Sequence, residues 1–381
     1  MHARFVRSVA FGAILGIALA AEPGHAEPDA RAIAELLATA VAATGKATVA
    51  YDVATGDGDS VTLSGFKLTL SDGSVTTVPA LVIVGIAPRE PGGFTAEHIA
   101  LDGGTVTGHG ATVSWATASL EEVVIPSADE VTNRAKLRPF RGLSVGSANL
   151  AGSDLPEPID AATISVDVGE VADGLPSSIN LRAGGVRLPT VLFANSVLGA
   201  IINMLDYQEF IADVSMDGTY DSAADTVAIH VLTVDVPAVG KITLAGKASG
   251  FSLRDLTDAD TEKSKVARAK ARLDTLRVRL DNAGFIERML DMQAGMLGGT
   301  RDDVRSQLVD GALPFALSFV ENEPFRIQFQ AAVAAFLADP RSLTITAEPS
   351  PPVPLGQVVR TAVRAPLSLP DLLAPKVEAN N

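Results

Sequence analysis

The chain has 381 residues, of which 47% are apolar and only 5% aromatic, and its formal net charge is −15. That net charge argues against nucleic acid and against anionic membrane surfaces as electrostatic partners of the molecule as a whole, since both need a basic face. The scarcity of aromatics argues against a sugar-stacking platform and against an outer-membrane barrel with its aromatic girdles. Cysteine is absent, which excludes disulfides, a thiolate nucleophile and a cysteine-linked lipid.

Arg4 and Arg7 precede an apolar run from Val9 to Ala21, and small residues follow as far as Ala26. A charged start, a short apolar stretch and small residues at the exit describe a secretory signal peptide. The run is shorter than the roughly 20 residues a spanning helix needs. Residues 1–26 are therefore expected to be removed, placing the protein in the periplasm with no integral membrane span. Their loss leaves the chain one unit more negative. What remains exceeds the ~250–300 residues at which single cores stop growing. Two halves are expected, a β-rich one over 27–188 and a second over 189–381.

Pro28 opens a helix with Ile33, Leu36, Leu37, Ala40 and Val41 on one face, and Gly45 ends it. A meander over 47–86 follows, with Val61, Leu63, Phe66, Leu68 and Leu70 as its apolar positions and Asp72-Gly73 as a hairpin turn. Short strands are predicted over 94–126 and 142–188, separated by a loop or short helix at 127–141. Pro189 then opens a strongly apolar helix, buried on most sides, to about Tyr207.

Residues 212–251 form the central meander. Val214, Met216 and Tyr220 alternate with polar residues, the signature of a half-buried strand. Val227 and Ile229 are followed by Leu232, Val234 and Val236, a one-residue change of phase that predicts a β-bulge. Ile242 and Leu244 open a third strand. The five apolar positions of the second strand have the spacing of Val61 to Leu70, so the two meanders read as related. The fold class is α+β, with a mostly antiparallel, curved meander sheet in two related halves and helices packed on one face.

A charged helix is expected from Asp258 to Leu273, followed by a strand at 276–280. Next comes a helical hairpin: one helix over 285–297, a break at Gly298-Gly299, and a second to about Phe319 that Thr300 and Asp303 cap and Pro314 kinks. FRIQFQ (325–330) reads as a short strand, followed by a helix to Leu337 and a strand over 342–347. The tail, with seven prolines between 349 and 375, reads as a packed strap.

No catalytic constellation emerges. His98, His109 and His230 are far apart and lack zinc-ligand spacing, and no nucleophile elbow or phosphate loop is present. Asp52, Asp57 and Asp59 lack a calcium-loop spacing and read as a turn. An enzyme, a cofactor and a metal are therefore not expected. The remaining signal is a stripe of flexible, polarizable side chains, Phe285, Met289, Met292 and Met296, with Leu308 and Phe315 on the next helix. Those six residues are the candidate ligand-binding set. The same spacing also serves an ordinary core stripe.

The segment 218–251 resembles motifs of the AsmA-like and YdgA-like bacterial envelope proteins through Gly218, Tyr220, Asp221, Gly240, Ile242, Leu244 and Gly246. The resemblance implies a curved antiparallel sheet with an apolar groove and a role in envelope maintenance or lipid handling. It carries over no catalytic residue. The expected function is a non-enzymatic periplasmic protein binding an apolar ligand, a lipid by preference, between sheet and helices. The alternative is a structural or assembly factor that binds another envelope protein.

Overall fold

A computed structural model describes residues 29–132, 137–172, 175–194, 197–253, 255 and 261–381; the expected export segment, 1–26, lies outside them. The fold is α+β, every described strand pair is antiparallel, and two compact units divide between Gly185 and Val186.

The first unit begins with α1 (Ala30–Ala43). Asp29 caps it by accepting from the Arg31 and Ala32 N–H groups, and Ile33, Ala34, Leu37, Ala40 and Val41 form its buried face. That face packs on β1 (Ala47–Ala50), β2 (Val53–Asp57), β3 (Ser60–Leu70) and β4 (Val75–Val84) over Val61, Leu63, Phe66, Val78, Leu81 and Ile83. The sheet continues through β5 (Gly93–Ala100), β6 (Thr105–Gly108), β7 (Ala111–Ser114), β8 (Thr117–Pro126), β9 (Gly142–Gly152) and β10 (Ile159–Val168). Between β8 and β9, the short α2 (Ala128–Thr132) is capped reciprocally by Ser127 and Glu130, and Glu130 accepts both nitrogens of Arg89 at 3.1 and 3.2 Å.

The phase change in β3 has an unexpected origin. Ser64 and Phe66 keep one continuous register with β4, and β1 and β2 share another. Burial changes phase in both neighbours too: Val78 and Leu81 are both buried in β4, and Tyr51 and Ala54 both meet the core. Three strands therefore bend together at Gly65, which takes φ +61°, where a Cβ would collide with the Asp52 carboxylate.

The second unit opens with a 3-10 turn (Thr190–Phe193) and α3 (Val197–Met204), where one helix from 189 to 207 was expected. Ile202 is buried, but Met204 is half exposed, so the helix is not buried all round. Its sheet runs β11 (Glu209–Asp221), β12 (Thr226–Val236), β13 (Gly240–Ser249), β14 (Arg272–Asn282), β15 (Ser342–Ala347) and β16 (Lys376–Ala379), each paired with the next. The register of β12 slips on both sides between Ile229 and Leu232, a true bulge at the place the sequence indicates. The two meanders share a spacing but reach it by different backbone devices.

The remaining helices are α4 (Thr261–Lys270), α5 (Phe285–Leu297), α6 (Arg301–Gln307), α7 (Leu313–Leu317), α8 (Glu323–Ala338), α9 (Leu355–Arg364) and α10 (Leu369–Leu373). Leu273, expected at the end of the charged helix, lies in β14 instead, and residues 256–260 lie outside the described set. FRIQFQ is helical, because Asn322 caps α8 by accepting from the Phe325 N–H and Pro324 suits its first turn. Phe325, Phe329, Ala332 and Phe336 then recur at helical spacing, which outweighs the short-range alternation. The tail is packed only in part, and as α9, α10 and β16 rather than an irregular strap: Leu355, Val358, Leu369, Leu372 and Leu373 join a buried cluster, whereas Val359 and Leu367 are exposed.

A candidate ligand-binding face

The apolar positions of the second unit line up across its sheet. Val214, Val234, Ile242, Leu280, Leu343 and Ala379 are successive partners and make one rung. Met216, Leu232, Leu244, Val278, Ile345 and Val377 make the next. Beyond the bulge come Gly218, Ile229, Gly246, Leu276 and Ala347, then Tyr220, Val227, Ala248, Leu273 and Val353. In β13, which has no break, Ile242, Leu244, Gly246 and Ala248 are two apart, so all four rungs share one face. The opposite face of the two outer rungs carries Asp213, Ser215, Thr233, Asp235, Lys241, Thr243, Arg279 and Thr344. The bulge keeps the apolar side chains of β12 on one side along its whole length.

This apolar face is closed at one end and also at two places along its margin: Phe210 and Ala212 at the start of β11 are 8% and 1% exposed, and Val377 of β16, beside α8, is 3% exposed. Phe251 with Ala267 and Ala271 near α4 packs on Val227 and Ala248. Leu273, Leu276 and Ala347 pack with Val353, Leu355, Val358, Leu369, Leu372 and Leu373. No residue of the two outer rungs belongs to a buried cluster among the described residues. Val214, Met216, Leu232, Val234, Leu244, Val278 and Leu280 are half-buried, and Ile242 is 49% exposed.

An aromatic group covers the corner of the face where β11 begins. Phe210 follows the same alternation along β11 and meets Phe193 at 6.0 Å and Tyr207 at 5.2 Å; Tyr207 meets Phe285 at 6.5 Å. Arg288 lies over the Tyr207 ring and donates to its hydroxyl, which in turn donates to the Ala238 carbonyl.

Phe285 thus reaches the rim of the apolar face, and Met289 and Met292, half-buried, continue its side of α5. Met296 emerges at 65% exposure. The next helix does not cover the methionines. Its Val304 and Leu308 pack on Leu290, Ala294 and Ile286, a different side of α5. Met296 and Leu308 instead share a concavity of about 340 Å³ with Gln293, Leu297, Val304, Gln307 and Ala312. Phe315 joins neither group. It is 70% exposed and packs edge-on with Phe319 at 5.5 Å. Sequence reasoning missed the outer rungs as a surface because their members come from strands as distant as Val214 and Ala379.

The hairpin itself follows local chemistry. Gly298 in the left-handed region ends α5, and Thr300 and Asp303 form the expected capping box. The Thr300 hydroxyl and N–H hold the Asp303 carboxyl below its usual range. Pro314 has no N–H for the Asp310 carbonyl, and the helix widens into a π turn over Leu308–Ala312, in which the Leu313 N–H bonds back to Leu308. A widened turn stands where a kink was expected.

The titratable candidates are scattered. His98 pairs with Glu121 at 2.8 Å and His109 with Asp72 at 3.3 Å, all exposed, while His230 stands exposed in the bulge against Thr219. Asp57 and Asp59 occupy the β2–β3 turn, and Asp52 faces Gly65. A protein family described as "Uncharacterized protein" matches residues 233–380, from the second half of β12 through β16. No curated protein matches the chain.

Proposed function

We propose that this is a non-enzymatic periplasmic protein that holds an apolar ligand, a lipid by preference, against the open end of the second unit's sheet. The observation that carries the reading is the pair of outer rungs: twelve apolar positions in register, with a polar opposite face, of which only Val377 at the β16 edge is fully buried. A sheet face of this kind costs free energy in water, at ~25 cal/mol per Å² of apolar surface left exposed. Contiguous patches beyond a few hundred Å² mark binding surfaces. An alkyl chain suits it, because the face offers width and no fixed hydrogen-bond geometry. The flexible Met289 and Met292 beside the aromatic rim accommodate chains of varied shape. The resemblance of Gly218, Tyr220, Asp221, Gly240, Ile242, Leu244 and Gly246 to AsmA-like and YdgA-like envelope proteins supports the same reading.

The structure gives the motif a local rationale. Asp221 accepts from the Ala223 and Ala224 N–H groups and so closes the turn, and Tyr220 fills the covered rung. Native mass spectrometry of protein purified from the periplasm tests the reading. The expected spectrum carries an added mass in the lipid range that organic extraction removes. A second polypeptide in its place would favour the assembly-factor reading.

A further inference from the structure

Helix α9 is amphipathic in an unusual way. Leu355 and Val358 face inward, into the cluster formed with Leu273 and Leu373. Val359 and Val363, one turn apart, face outward at 61% and 78% exposure, and Leu367 just beyond the helix is 47% exposed. Arg360 and Arg364 follow each valine by one residue and so form a parallel ridge beside the stripe. Neither arginine has an ion-pair partner among the described residues, whereas Arg301, Arg305 and Arg341 of the same unit pair with Asp291, Asp302 and Asp339.

Folding explains neither half of this surface, since the valines touch no core and the arginines no carboxylate. We infer that α9 is a docking helix that lies flat on an anionic lipid bilayer. Val359, Val363 and Leu367 enter the headgroup–acyl boundary, and Arg360 and Arg364 reach the lipid phosphates. The guanidinium fork matches phosphate oxygens in pairs, which favours a phosphate-bearing surface over a purely apolar protein groove. The net charge of −15 opposes approach at long range. At physiological ionic strength that field is screened beyond ~8 Å, so the side chains at the contact decide its strength.

Docking does not depend on the sheet face holding a ligand, although it would bring that face to a source of lipid. The test is co-sedimentation of the processed protein, without residues 1–26, with vesicles of phosphatidylglycerol and phosphatidylethanolamine, and with vesicles of phosphatidylcholine alone. Binding to the anionic vesicles is expected. Arg360→Gln with Arg364→Gln should weaken it about thirty-fold, the worth of two arginines at such a surface. Val359→Ser with Val363→Ser should weaken it at least roughly five-fold, from the lost apolar burial. Both pairs should keep the wild-type melting temperature and fatty-acid binding, which separates this result from failure of the ligand reading. No sedimentation with anionic vesicles, or undiminished sedimentation of both double variants, would overturn the assignment.

Discussion

At the scale of single residues, neighbours in sequence have opposite tasks. In α5, Leu290 is 1% exposed between Ala294 and Val304, while Met289 beside it is half-buried on the other side of the helix. Leu290→Ala should cost about 2–5 kcal/mol in urea unfolding. Met289→Ala should cost clearly less, since part of its surface is already solvated. Equal costs would mean that Met289 is ordinary core. Phe315→Ala, at an exposed site, should change stability by no more than about 0.5 kcal/mol.

The Arg89–Glu130 pair is the reverse case, two charges with side chains only 9% and 11% exposed. Burial alone would push the Glu130 carboxyl up. The Arg89 guanidinium and the Ser127 N–H outweigh it and hold the carboxyl below its ordinary value. A lowered pKa stabilises above the unfolded value, and that contribution is lost as pH falls through the folded one. Glu130→Gln should therefore cost about 3–5 kcal/mol at neutral pH, by stranding Arg89. Its penalty should shrink as pH falls through the lowered pKa of the wild-type carboxyl, below the ordinary carboxylate range, where that carboxyl also takes up a proton. A pH-independent penalty in thermal melts would contradict this.

At the scale of elements, the sequence was readable wherever a local rule decided the outcome. Thr300 and Asp303 form a complete capping box, and Thr300→Ala should cost roughly 0.5–2 kcal/mol in thermal melts. An unchanged melting temperature would mean that the cap is redundant. The bulge between Ile229 and Leu232 also lies where the apolar phase changes. Alternation misled at FRIQFQ, where six residues are too few to distinguish period 2 from a helix that Asn322 starts and Phe336 anchors. Proline density misled in the tail. Pro370 sits in the first turn of α10, where its missing N–H costs nothing, and Pro366 opens a 3-10 turn in the same way, so these two prolines start helical turns rather than mark a strap. Gly65 was not readable either, since a spacing identical to that of β12 arises there from a shared bend.

At the scale of the molecule, the candidate site depends on assembly more than on any one stretch. Alternation in each strand was legible, but not which rungs the C-terminal helices would cover. That depends on Leu273 and Ala347 meeting Val353 and Leu373 across long chain separations. The six residues chosen from the sequence are accordingly split: Phe285 reaches the aromatic rim, Met289 and Met292 lie beside it, Met296 and Leu308 line a separate concavity, and Phe315 stands in solvent. Among the described residues no helix is long and apolar enough to cross a membrane, so contact with lipid would be through surfaces such as the outer rungs and α9. Titration of a fluorescent fatty acid into the wild type, Ile242→Lys and Thr243→Lys tests the central claim most directly. The two lysines are adjacent in β13 but lie on opposite faces, and both sites are at least partly open. The account predicts at least roughly tenfold weaker binding for Ile242→Lys, from a charge set in the apolar face, with wild-type binding for Thr243→Lys. Equal binding by all three proteins, each folded by circular dichroism, would contradict it.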